Sequence, residues 1–181
     1  MKANNRLLLC SLLAVCLLFV LGCSGRGTYS DSLDPRAAKV RFIAYAENAT
    51  LDYYDADHCE GKTTGLLNNW FFTHSRRRVD MRVAPPANAS AYLEISVPSE
   101  TELFVQLNTT DRYGYSCNIP LQFRAGARQE YELTLYRRGQ QCGAALEQLE
   151  LLAGQVQRRK QPVLSDRHFT ACIGRGPLFP K

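Results

Sequence analysis

The sequence is poor in the residues and motifs that most chemistry needs. It has three histidines, two methionines and one tryptophan. It contains no G-x-S-x-G elbow, no H-E-x-x-H pair and no dinucleotide-binding glycine fingerprint, so hydrolase, zinc-peptidase and nucleotide-cofactor readings find no residues to stand on. No C-x-x-C pair occurs, and a structural zinc site without that spacing is disfavoured. No internal repeat is evident. Outside residues 7–21 there is no long apolar run, and that run is shorter than the ~20 residues of a membrane-crossing helix. Neither low hydrophobicity nor extreme charge is present: 45% of residues are hydrophobic and 22% charged, which excludes intrinsic disorder and collagen-like structure. The expectation is a non-enzymatic protein with no cofactor and no metal.

Cysteine is what the sequence has in excess: seven in 181 residues, an odd number. The N-terminus accounts for the parity. Lys2 and Arg6 form a basic start, Leu7 to Leu21 an apolar centre, and Gly22-Cys23 a small-residue exit. That is the layout of a secretory signal. Val20-Leu21-Gly22-Cys23 resembles the lipobox of bacterial lipoproteins. The resemblance implies that Cys23 is lipidated, that residues 1–22 are removed, and that several acyl chains form a stable anchor. Ser24, in the position after the lipidated cysteine, implies transfer to the outer membrane, lipid-anchored on its periplasmic face, with surface display also open. Cys10 and Cys16 leave with the signal. Cys59, Cys117, Cys142 and Cys172 remain, an even set that reads as two disulfides in an oxidising compartment. Three pairings are open. The preferred one is Cys117–Cys142 between neighbouring strands and Cys59–Cys172 tying the tail to an early loop.

Loss of Lys2 and Arg6 lowers the net charge from +5 to +3, too mild to suggest a nucleic-acid partner. Residues 23–38, rich in Ser, Gly and Asp, read as a lipidated N-terminus with a flexible tether. Residues 39–181 read as one domain in which the dominant period is two. Val40/Phe42/Ala44, Val79/Met81/Val83, Ala91/Leu93/Ile95/Val97, Leu103/Val105/Leu107, Ile119/Leu121/Phe123 and Tyr131/Leu133/Leu135 each alternate with more polar neighbours. Such alternation predicts strands with one dry and one wet face, hence an all-β, antiparallel β-sandwich of about eight strands stapled by two disulfides. Residues 67–73 predict a further strand. Residues 142–160 fit either a helix or a hairpin turning at Ala153-Gly154, and the hairpin is preferred because Gly154 sits badly in a helix.

Few residues suggest a site. Asp55, Asp57, His58 and Glu60 form a polar cluster, read as a solvated loop because its spacing does not match a calcium loop. Glu60-Gly61-Lys62-Thr63-Thr64 lacks the upstream glycine of a phosphate loop and reads as a turn. Arg76, Arg77 and Arg78 are candidate contacts for an anionic partner, set against a plainer role as solubilising charges beside a strand. Arg137-Arg138 and Arg158-Arg159-Lys160 are two further basic knots whose convergence with the first would strengthen that reading. Tyr45, Tyr92, Phe104 and Tyr136 fall on expected wet faces, where cross-strand pairing is the preferred explanation over a recognition surface. Beyond the lipobox the layout resembles small outer-membrane lipoproteins. The expected function is an envelope binding or structural module with an envelope protein or an anionic glycan or lipid as partner. The alternatives are a lipoprotein component of a type VI-like secretion apparatus, or a periplasmic lysozyme or protease inhibitor.

Overall fold

The computed structural model describes residues 27–54, 61–69 and 74–163. Those residues are all-β, with no helix among them. Eleven strands form two sheets. β1 (Gly27–Thr28), β4 (Gly61–Leu66), β3 (Thr50–Tyr54), β7 (Glu102–Thr110) and β8 (Ser116–Arg124) lie side by side in that order. The second sheet runs β11 (Gln155–Lys160), β10 (Gln141–Leu152), β9 (Glu130–Arg138), β2 (Ala38–Tyr45), β6 (Tyr92–Val97) and β5 (Arg76–Arg77).

The alternating residues do what their period requires. Val40 and Phe42 from β2, Leu93 and Ile95 from β6, Leu103, Val105 and Leu107 from β7, Leu121 and Phe123 from β8, and Leu133 and Leu135 from β9 join one core cluster drawn from both sheets. Each large apolar side chain that is fully buried contributes about 1.5–3 kcal/mol, so a sandwich-like packing of two inner faces follows from the pattern alone. The 142–160 ambiguity is settled as a hairpin: β10 and β11 pair antiparallel from Leu152↔Gln155 upward. Ala153 and Gly154 both have positive φ, 49° and 79°, as a two-residue primed turn demands.

Three expectations change. The sheets are mixed rather than antiparallel, because β1·β4, β2·β9 and β5·β6 pair in parallel. Val79, Met81 and Val83 do not form a strand. Asp80 has φ 56°, and the segment's N–H groups bond to side chains instead of a neighbouring strand, Val79 to Glu94 and Val83 to Glu130. Gly61 to Thr64, read as a turn, belong to strand β4, Gly61–Leu66. Gly61 is needed there: a Cβ would come 2.9 Å from the ring of Tyr54, its partner across the strands.

The packed region also starts earlier than residue 39. Gly27–Thr28 pair with β4, and Tyr29 is buried with its hydroxyl donating to Ser96 O at 2.8 Å. Asp31 accepts from Ser96 N and pairs with Arg77. Residues 27–37 are thus a strap from the first sheet to the second. At the opposite edge, Cys117 on β8 is bonded to Cys142 on β10 with Cα atoms 6.3 Å apart; the pairing is the expected one, but it joins the two sheets rather than neighbouring strands of one. Cys59 and Cys172 lie outside the described residues, as does the Asp55–Glu60 cluster.

Candidate functional site

Strand directions give the sandwich two ends. The upper end carries the turns at 46–49, 111–115 and 139–140. The lower end carries those at 35–36, 98–101, 125–129 and 153–154.

At the upper end, Tyr45 and Tyr136 are directly paired across β2 and β9, their rings stacked 5.8 Å apart and 13° from parallel. Cross-strand pairing therefore holds for these two, yet each ring stays nearly half exposed, 47% and 46%. Beside Tyr136 in the next strand is Gly143, with open space where a side chain would stand, so nothing on β10 screens the ring. The β7–β8 turn adds Tyr113 and Tyr115, 80% and 50% exposed. Asp111 shapes this turn: its Oδ1 accepts from the N–H groups of Tyr113 and Tyr115 at 2.8 and 2.9 Å. Its Oδ2 meets Arg137 Nη2 at 2.7 Å, while Arg137 Nη1 donates to Tyr115 O at 3.1 Å. Arg137 is thus a brace between the two hairpins, whereas Arg138 points to solvent with no ion pair among the described residues.

The outer face of the six-stranded sheet holds a buried ionic network. Arg41, fully buried, sits between Glu94 on β6 and Glu132 on β9 in the strand register. Its Nε and Nη2 donate to Glu94 Oε1 at 3.0 and 2.9 Å, and Nη1 to Glu132 Oε2 at 3.2 Å. The remaining N–H groups reach the carbonyls of Val83 and Ala84, so all five donors of the guanidinium have acceptors. Glu130 accepts from Arg82 N and Val83 N at 2.7 and 3.1 Å. Arg158 closes the network, 2.6 Å from Glu132 and 2.9 Å from Glu147; the bond to Glu132, first of all, raises its pKa. Buried charges persist when paired and hydrogen-bonded, and here each buried carboxylate is. The network holds the 78–84 segment down against the outer face of the sheet.

The three candidate arginines sit at the edge strand β5 and just after it. Arg76 Nε donates to Ser90 O at 3.3 Å, Arg77 pairs with Asp31, and Arg78 donates to Met81 O at 2.8 Å and lies 3.5 Å from Glu94. The basic knots do not converge: residues 76–78 and 158–160 lie at opposite edges of the six-stranded sheet. Cys23 is outside the described residues. No group of three or more histidine, cysteine or acidic residues among the described residues is arranged to hold a metal ion.

Sequence reading missed Arg41, Glu94, Glu130 and Glu132, which it placed on wet faces. The one signal available was opposite charges at alternate positions of separate strands, and that becomes informative only with register. Comparison with protein-family models and with curated proteins finds no match for this chain. The class the structure defines is architectural: a two-sheet all-β domain of mixed strand direction, with a disulfide at one edge and an N-terminal strap at the other.

Proposed function

We propose that this protein is a non-enzymatic lipoprotein of the bacterial outer membrane, a binding module anchored through Cys23 that offers its upper end to an envelope partner. The observation that carries the binding role is that Tyr45, Tyr113, Tyr115 and Tyr136 are all exposed at one end, Tyr45 and Tyr136 stacked on the outer face of the six-stranded sheet and Tyr113 and Tyr115 on the β7–β8 turn of the other. Tyrosine presents a large apolar face with a polar tip and is favoured where a surface meets a partner. Arg138 and Arg112 flank them; Arg112 is held by Glu47 at 3.0 Å and remains largely exposed. Flat rings beside cationic groups suit a partner with apolar faces and negative charge, and an anionic envelope glycan has both. Among the described residues, Arg41 and the buried Glu94, Glu130 and Glu132 are held in internal pairs, which favours binding over catalysis.

The anchor is tested by metabolic labelling with palmitate. The wild type takes up label and Cys23→Ala does not; an unlabelled wild type sinks the lipoprotein reading. The partner end is tested by pull-down from solubilised envelopes with wild type and with Tyr113→Ser/Tyr136→Ser. Recovery of glycan by the wild type and its loss in the variant support the proposal. Equal recovery by both, or none by either, removes it.

A further inference from the structure

The β10–β11 hairpin outgrows its sheet. Glu130 of β9 pairs with Leu149, and beyond that point Glu150, Leu151 and Leu152 pair with β11 alone. At ~3.4 Å per residue the tip projects roughly 10 Å from the lower end. Its side chains are apolar and exposed: Leu151 42%, Leu152 49% and Val156 45%. Leu151 and Val156 face each other across the two strands. They sit on the side chain row that continues into the buried Leu149 and its neighbours Met81 and Val83. A solvated hairpin tip gains nothing from three adjacent apolar side chains, and a bilayer interface is where such a tip is stable.

The path of the N-terminus points to the same place. β1 runs parallel to β4, whose direction is from Gly61, beside Tyr54, up to Leu66, beside Thr50. β1 therefore starts on the lower-end side of its sheet. Cys23 is four residues before Gly27, a covalent reach of at most about 14 Å. A lipid on Cys23 thus holds one edge of the domain close to the membrane, and the hairpin tip reaches down at the other edge. Arg128, at the lower-end turn, is exposed and carries no ion pair among the described residues, as suits anionic headgroups.

We infer that the lower end of the sandwich rests on the bilayer that carries the anchor, with Leu151, Leu152 and Val156 seated in the interfacial layer and the tyrosine end directed away. This rests on the lipidation of Cys23 proposed above. The partner surface then faces outward by construction, because acyl chains and tip fix two separated points of one end.

The test uses the acylated full-length mature protein, its acyl mass confirmed first, in nanodiscs of phosphatidylethanolamine and phosphatidylglycerol doped with a gadolinium-chelating lipid. Amide signals of Leu152 to Val156 should lose most of their intensity, and those of Tyr113 and Tyr115 should keep theirs. In Leu152→Glu/Val156→Glu, whose side chains are exposed and whose fold should persist, the loss at the tip should shrink. Uniform broadening, broadening centred on 111–115, or a charged tip that broadens as before overturns the inference. A protein that carries no acyl mass instead overturns the lipoprotein reading itself, so the two failures are told apart before any spectrum is recorded.

Discussion

Arg41 shows how one side chain can organise a face of a sheet. It uses all five donors in a site closed to water, and its two carboxylate partners are themselves nearly or fully buried. Breaking such a pair from one side strands the other charge, at a cost of about 3–5 kcal/mol. Arg41→Met, which preserves volume but removes every donor, should lower the stability measured by guanidinium unfolding by that amount. Arg41→Lys should recover little, because an ammonium cannot supply five forked bonds. An unchanged midpoint in Arg41→Met would show the network to be dispensable. Tyr29 makes a second prediction at this scale. Burial, with Tyr53 and Asp31 nearby, pushes its pKa well above the ordinary tyrosine value. The neutral form is therefore favoured in the folded state. Stability from this group is complete below about pH 10, where the unfolded chain also keeps its proton, and falls as pH rises past it. Unfolding midpoints of wild type should decline above pH 10 more steeply than those of Tyr29→Phe, which has no proton to lose; parallel declines would remove Tyr29 as the cause.

At the scale of elements, the β10–β11 turn carries a correctable defect. Ala153 has a positive φ, a conformation that costs an L-residue with a Cβ about 1–2 kcal/mol. Asparagine tolerates it and followed by glycine is the preferred sequence for this turn. Ala153→Asn should slow hydrogen exchange of the amides flanking the tip, where local opening governs protection; faster exchange would mean the turn is not of this type in solution. That hairpin was readable because Gly154 sits badly in a helix. Residues 78–83 were not readable. Their alternation matches a strand as well as that of 102–107 does, and what separates them is the partner. Phe104 to Leu107 meet β3 on one side and β8 on the other, while the N–H groups of Val79 and Val83 meet carboxylates. Periodicity reports which side chains seek the core and is silent about where the backbone donors go. β3 and β4 escaped for a related reason: Gly61, Gly65 and three threonines carry no apolar period, and the strand is made by pairing with Asp52, Tyr53 and Tyr54.

For the whole molecule, strand direction was the part the sequence could not carry. A wet face and a dry face suggest antiparallel neighbours, but β2 is covered on both faces, on one by the core and on the other by the 78–84 segment, and it lies parallel to β9, ninety-one residues away in the Arg41–Glu132 pair. The consequence is a sandwich whose two sheets are tied at both edges by different means. β8 is joined to β10 by Cys117–Cys142, and β1 to β6 by the strap through Tyr29 and Asp31. Four strand spacings, about 19 Å, separate β1 from β8 within their sheet. Interactions so far apart with no shared partner add nearly independently. Cys117→Ser/Cys142→Ser should cost about 2–4 kcal/mol by freeing the unfolded chain. Tyr29→Ala should cost about 3–5 kcal/mol by emptying its place in the core. If the two edges are separate ties, the combined variant loses the sum to within about 0.5 kcal/mol and still unfolds in one transition. If the strap and the disulfide instead belong to one cooperative clamp, the combined loss departs from the sum by more than that, or the transition splits into one step for each sheet. Denaturant unfolding followed by fluorescence and by circular dichroism on all four proteins decides between the two.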